Sequence, residues 1–484
     1  MSRIITFIFI LILSTLSNLT GRAASSGTAQ LAETRPNILF AVADDWSFPH
    51  AGAYGDRAVS TPAFDRIARE GALFLNVFTA APSCTPSRAA LLTGQAVHRL
   101  AEGGNLHGFL PERFAVYPDI LEGAGYHVGF MGKGWGPGQF EPGGRSRNPA
   151  GPQFKQFDEF LSKRRPGQPF AFWFGSNDPH RPYETGSGAK AGLRADRVAV
   201  PGFFPDTPEV RSDLLDYLLE VQRFDSQVAA LIEALEKAGE LDNTIVVVTS
   251  DNGMPFPRAK ANLYDAGTHM PLAIRWPRKI PAGTRVQPFV GHADIAPTLL
   301  EAAGLAVPAA MTGHSVLALA GGAAPEPRAA RDRVFIERER HANVRRGDLS
   351  YPARAIRTGD HLYIRNYRPD RWPAGDPDLY VAVGPFGDID DGPTKQLLLS
   401  RRDDPPIKRY FELAVAKRPA EELFDLKKDP AQLTNVAGDP AYAAVRDRLK
   451  KELDVWQRTT GDPRATEDDD RWDRYPYYGV PAKK

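Results

Sequence analysis

The sequence predicts an α/β fold built on a large, mostly parallel sheet, with a smaller subdomain carrying a short antiparallel sheet. Three observations predict it: short, wholly apolar runs recur along the chain, helix-like stretches separate them, and polar residues follow each run directly. In such sheets ligands gather beyond the carboxyl ends of the strands, so the residues after each run are the first place to look for chemistry.

Residues 38–43 (Ile-Leu-Phe-Ala-Val-Ala) read as a strand buried on both faces, and the run stops abruptly at Asp44-Asp45. Further runs lie at 128–131, followed by Lys133; at 170–174, followed by Asp178 and His180; at 245–249, followed by Asp251 and Asn252; and at 272–276. Helix-like stretches at 61–70 and 208–238 supply the covering layers. Four strand ends thus deliver acids, a lysine, a histidine and an amide to one edge. Beyond residue 308 the texture changes, and the Ala/Gly/Pro-rich stretch 318–327 reads as a loop. Residues 355–357 and 361–364 around Thr358-Gly359-Asp360 read as a hairpin, and 442–456 as a closing amphipathic helix. A catalytic domain is expected over 35–340 and the smaller subdomain over 341–470.

Lys and Arg number 60 against 59 Asp and Glu, so no global field draws the chain to nucleic acid or an anionic membrane, and an anionic ligand needs a local site. Residues 1–24 read as a cleaved export signal: Arg3, an apolar stretch over 4–16, then small residues at 21–24. No membrane association is expected after cleavage. A periplasmic or secreted location follows, and a bacterial source fits because Asn18-Leu19-Thr20, the one glycosylation sequon, lies inside that signal. The single cysteine, Cys84, has no partner for an internal disulfide, which is unusual in an exported chain.

Cys84 opens Cys-Thr-Pro-Ser-Arg-Ala-Ala-Leu-Leu-Thr-Gly, a helix-forming run whose free N-terminal amides and nearby Arg88 suit an anion. Asp44, Asp45, Asp251 and Asn252 offer oxygen alone, a set for a hard cation and not for zinc. Cys84-x-Pro86-x-Arg88 resembles the sulfatase signature, whose cysteine is oxidised to formylglycine; one hydroxyl of the hydrated aldehyde attacks sulfur and the other later expels sulfate.

The resemblance spans nearly the whole chain from Arg35 to about Pro463. It is nearest to N-sulfoglucosamine sulfohydrolases through Ala43-Asp44-Asp45-Trp46, Asp178-Pro179-His180-Arg181, Asp251-Asn252-Gly253-Met254-Pro255-Phe256-Pro257 and Glu422-Leu423-Phe424-Asp425. It implies an alkaline phosphatase-like sandwich and a calcium ion, with Mg²⁺ as second choice, held by Asp44, Asp45, Asp251, Asn252 and the residue made from Cys84. By the same resemblance, Lys133 and Lys260 grip sulfate and His180 protonates the leaving group, and Arg88 joins Cys84 and these three as a candidate catalytic residue. The implied partners are a sulfated carbohydrate and a formylglycine-generating or anaerobic maturation enzyme. One departure stands out. Sulfatases commonly read Gly-Lys-x-His where this chain has Gly132-Lys133-Gly134-Trp135, so His98 or His107 is a candidate to replace the missing histidine, and both join Trp135 as candidate substrate contacts. The scissile bond is N–S of a glucosamine or O–S of a polysaccharide fragment. Two rivals stay open: a phosphoester hydrolase drawing a second metal's ligands from His269 and His292, and a silent carbohydrate-binding homologue.

Overall fold

The computed structural model describes residues 35–323, 331–379 and 383–479. The export segment expected over 1–24 lies outside these residues, as does part of the 318–327 stretch. Eight strands form the larger sheet: β1 (Asn37–Ala43), β2 (Ala72–Phe78), β3 (His127–Gly132), β4 (Phe170–Gly175), β5 (Thr244–Ser250), β6 (His269–Arg275), β7 (Thr284–Val286) and β8 (Val290–Gly291). Their order is β3-β4-β1-β5-β6-β2-β7, with β8 also on β2. All neighbours pair in parallel except β6, which runs against both β5 and β2. The expected run at 272–276 is therefore strand, but reversed, and its His269 end is the one on the edge where β5 terminates. β2 has no counterpart among the expected strands, because Asn76 breaks its apolar run where the pairing to β6 shifts register.

Alternation along β1 divides the core in two. Ile38, Phe40 and Val42 enter one apolar layer, while Leu39, Ala41 and Ala43 enter the other. Phe40 meets Trp173 edge-on at 5.0 Å, the kind of pair that adds about 0.5–1.5 kcal/mol beyond its burial. The second layer is covered by the helices Pro62–Glu70 and Pro208–Lys237; the latter starts at Thr207, whose side chain accepts from Val210 N, and places Pro208 at its first position, where a missing N–H costs nothing.

A second sheet, β9 (Arg333–Arg338), β10 (Ala353–Thr358), β11 (His361–Asn366) and β12 (Glu421–Asp425), is fully antiparallel in the order β12-β11-β10-β9. β10 and β11 are the expected hairpin, and the helix Ala443–Thr460 packs on the outer face through Leu449 and Leu453. The inner face, with Ile336, Ala355 and Leu362, meets Phe78 of the larger sheet and Phe289, just ahead of β8. This sheet starts at Arg333, inside the span expected for the catalytic domain, and the described residues from Arg35 onward group as one compact unit. Within the stretch read as a loop, Leu317–Ala320 forms one helical turn. Among the described residues no helix is long and apolar enough to cross a membrane.

Register carries the fold to the site. Ala43 pairs with Ser250, Val42 with Gly175, and Gly175 with Gly132, so β1, β3, β4 and β5 end level. Gly132 turns the chain at φ 74°, and a Cβ on Gly175 would sit 1.7 Å from the Lys133 carbonyl oxygen. Only glycine lets the two strand ends approach this closely.

Candidate active site

The polar residues beyond the level strand ends converge on the start of the helix Cys84–Thr93, which is buried along its whole length. Cys84 is its first residue, 2 % exposed, and its thiol donates to Asp44 Oδ1 at 3.5 Å. Burial pushes the thiol well above its usual range, outweighing Lys133 and Lys260, so the sulfur carries its proton at neutral pH.

Three cations face three carboxylates. Lys133 Nζ lies 2.7 and 2.6 Å from the two oxygens of Asp44, and Lys260 Nζ donates to Asp45 Oδ2 at 2.8 Å. Arg88 Nε donates to Asp251 Oδ2 at 2.7 Å, while its Nη1 holds the carbonyls of Lys133 and Gly134 at 2.8 and 3.0 Å. Arg88 is 0 % exposed, so its fork fixes the lysine loop against the helix. Burial raises the carboxyl of Asp44, but Lys133, His180, Arg88 and Lys260 together overcome it and hold Asp44 below the ordinary carboxylate range. Asp45 goes the other way: burial outweighs Lys260 and His180 and pushes it up to about 6. Asp251 is likewise raised by burial against the pull of Arg88.

Local backbone geometry sets these positions. Asp45 sits at φ 76°, a left-handed conformation that short acidic side chains tolerate better than most, and its N–H donates to Asp251 Oδ1 at 3.1 Å. Asn252 Nδ2 donates to Asp45 Oδ1 at 2.6 Å, yet Asn252 Oδ1, fully buried, has no hydrogen-bond partner among the described residues. A buried acceptor without a donor is costly unless something electropositive meets it. Three carboxylates and this orphaned amide oxygen fit a hard divalent cation, as expected from the residue types.

His180 Nδ1 donates to the Arg181 carbonyl at 2.5 Å, which leaves Nε2 facing inward, 3.8 Å from Asp45 Oδ2. His107 lies within electrostatic reach of Lys133 and Lys260, and burial, then those cations, push it down to about 4. His98 is not brought here: Nδ1 is 2.8 Å from Glu337 Oε2 and Nε2 donates to the Thr460 carbonyl at 3.3 Å. Trp135 turns into the apolar core, 4 % exposed, with its backbone tied to Asn148. His269 stacks between Phe48 and Phe78, and His292 is buried behind the helix against Ser87 Oγ at 3.1 Å; neither joins the oxygen donors.

Two residues at the site escaped sequence reasoning, and both come from beyond residue 330. His341, just after β9, has Nδ1 2.8 Å from Ser83 Oγ, beside the cysteine. Asp390 places Oδ2 3.2 Å from Lys260 Nζ and groups with Asp45 and His180. Neither directly follows a wholly apolar run or sits in a local motif, since β9 ends in Glu337-Arg338 before His341 is reached, so no pattern in the chain marks them.

The family model for sulfatases matches residues 36–139 and 152–305, and that for the C-terminal region of N-sulphoglucosamine sulphohydrolase matches 258–376. The chain belongs to the sulfatase family. Human N-sulphoglucosamine sulphohydrolase is 31% identical to this sulfatase over 477 residues, 90% of this chain and 92% of the human one. An ulvan-active sulfatase of Formosa agariphila is 28% identical, over 88% of this chain and 76% of the relative. In fold, a solved protein in complex with its substrate D-glucosamine-2-N,6-O-disulfate superposes with a TM-score of 0.66, at 22% identity, over 90% of this chain and all of that one. The architecture is the alkaline phosphatase-like one, and the enzyme class is sulfuric ester hydrolase or sulfamidase.

Proposed function

We propose that this sulfatase is an exported enzyme that cleaves the N-sulfate of a glucosamine unit, with a formylglycine made from Cys84 and a calcium ion at Asp44, Asp45, Asp251 and Asn252. The observation that carries the reading is the buried start of the helix Cys84–Thr93, where the lone cysteine meets Lys133, Lys260 and Arg88 across an all-oxygen donor set holding one unpaired acceptor. The N-sulfate is favoured because residues 258–376 match the model for the C-terminal region of N-sulphoglucosamine sulphohydrolase.

Calcium, when bound, supplies a Lewis acid against a sulfate oxygen, and the oxidised Cys84 side chain supplies the nucleophile. The chain's own residues do the rest. Lys133 and Lys260 present ammonium donors to the remaining sulfate oxygens, and Arg88 locks Asp251 and the lysine loop so that these charges need no rearrangement as negative charge builds. His180, its Nδ1 donating to a carbonyl, points Nε2 into the site, where as the imidazolium it would donate to the leaving nitrogen. His107, within electrostatic reach of Lys133 and Lys260, is our candidate to stand in for the histidine replaced by Trp135. A maturation enzyme is the implied partner, because conversion of the thiol needs an outside oxidant.

The O-sulfate reading is supported by the similarity to an N-acetylglucosamine-6-O-sulfatase of Bacteroides thetaiotaomicron, 25% identical over 90% of this chain and 88% of the relative. Mass analysis of the Cys84 peptide from the native host, with turnover of N-sulfated glucosamine, O-sulfated sugars and phosphate esters, tests the proposal. An aldehyde at Cys84, preference for the N-sulfate and loss of turnover in Cys84→Ala are expected; an unmodified thiol in active enzyme would overturn it.

A further inference from the structure

The segment carrying Asp390 is anchored more heavily than an ordinary surface loop. Asp388, buried, takes Arg338 Nη2 at 2.8 Å and Arg345 Nη2 at 2.5 Å on one oxygen and the N–H of Ala342 on the other. The ammonium of Lys395 caps the carbonyls of Val383, Phe386 and Ile389 at 2.9, 3.3 and 2.8 Å. On the far side, Thr394 and Arg181 share Asp213 Oδ2, and the guanidinium of Arg181 packs against Gly392, where a Cβ would come within 2.4 Å of Nη1. Burying an aspartate, a lysine and an arginine to fix one short loop is costly, and the side chain delivered to the site is Asp390.

Asp390 ends up in the half of the site that holds His180, not in the half that holds Cys84. One oxygen each from Asp390 and Asp45 and a ring nitrogen of His180 lie within 4.8 Å of one another, while Asp44, Cys84 and Asp251 form a separate group. His180 is the proton donor to the leaving atom in the function proposed above, so Asp390 borders the leaving group. Its Oδ2 is buried against the ammonium of Lys260 at 3.2 Å, so the 22% exposure of the side chain falls to Oδ1, which makes no hydrogen bond among the described residues and is the oxygen a ligand can reach. A second metal is a poor occupant, because Asp45 already belongs to the calcium site proposed above, which leaves only Asp390 and His180 as further ligands of this group. A clamp for Lys260 alone is also a poor account, since Asp45 already holds that ammonium with a full hydrogen bond.

We infer that Asp390 is a specificity-determining residue whose carboxylate accepts a hydrogen bond from an N–H or O–H donor of the sugar next to the scissile sulfate. The inference rests on the sulfatase function proposed above. Sulfated sugars with a donor beside the scissile group are selected over sulfates that lack one, because only they satisfy the spare acceptor.

The test uses aldehyde-bearing, calcium-loaded enzyme with Asp390→Asn and Asp390→Ala. Three substrates are compared: N-sulfated glucosamine, 6-O-sulfated glucosamine and an aryl sulfate with no sugar. Relative to the aryl sulfate, kcat/KM on a sugar substrate is expected to fall about 10- to 100-fold, the worth of one hydrogen bond to a charged group. Inhibition of aryl sulfate turnover by desulfated glucosamine should weaken by a similar factor, which a purely structural role would not produce. A larger loss on the N-sulfate assigns the donor to nitrogen, and a larger loss on the 6-O-sulfate assigns it to a hydroxyl. Equal losses on all three substrates, or none, overturn the assignment of Asp390 while leaving the sulfatase function standing. A wild-type enzyme that turns over none of the three overturns that function, and the inference with it.

Discussion

Arg88→Ala gives the sharpest test of how the site is held together. The guanidinium is fully buried, donates at 2.7 Å to Asp251, lies 3.7 Å from Asp44, and bonds the carbonyls of Lys133 and Gly134. Removing one partner of a buried ion pair strands the other charge, at about 3–5 kcal/mol. The Gly134 carbonyl also loses its donor, whereas that of Lys133 keeps Trp173 Nε1 at 3.0 Å. Urea unfolding in the presence of a calcium chelator should therefore show a loss of about 3–5 kcal/mol. Arg88→Lys recovers part of it, because a lysine restores charge but not the fork that reaches three acceptors. Saturating calcium narrows the gap, since the ion neutralises Asp251 in place of the guanidinium. A loss below about 1 kcal/mol in chelator would refute the argument that Arg88 is the cation that pairs the buried carboxylate of Asp251.

Asn252→Leu removes the orphaned acceptor while keeping the volume, and calcium titration by calorimetry should show affinity at least about 10-fold weaker; unchanged affinity would exclude Oδ1 as a ligand. His98 makes a pH prediction away from the site. Burial lowers it, but Glu337 and then Asp462 more than reverse this against Arg354, so its pKa is raised on folding. Its contribution to stability is then full below the unfolded value of about 6.5 and fades as pH rises through the raised folded one. His98→Gln should accordingly be most destabilising near pH 6 and least at alkaline pH, by urea midpoints; a deficit independent of pH would contradict the charged pairing.

Much of the site was legible because it is built from strand ends. An apolar run that stops at a polar residue is visible in sequence, and in a parallel sheet such stops fall on one edge, which is why Asp44, Asp45, Lys133, His180, Asp251 and Asn252 could be gathered without coordinates. The same reasoning gave no means of ranking His98 against His107. Both follow the Cys84 helix closely, His98 within a 3-10 turn, and only packing shows that Glu337 captures one while the other comes within electrostatic reach of the two lysines. The reversed direction of β6 was hidden for a related reason: an apolar run buried on both faces reads the same in either direction.

By itself, the sequence determined the strand and helix alternation, the lone cysteine at a helix start and the oxygen-only donor set, since these depend on residue type and local spacing. Tertiary structure decided what stands across from them. The small sheet and its loops carry His341 and Asp390 over the edge of the large sheet, through contacts between residues more than 100 positions apart. Contacts of that range leave no periodic mark on the chain, because they depend on where two separately folded layers meet.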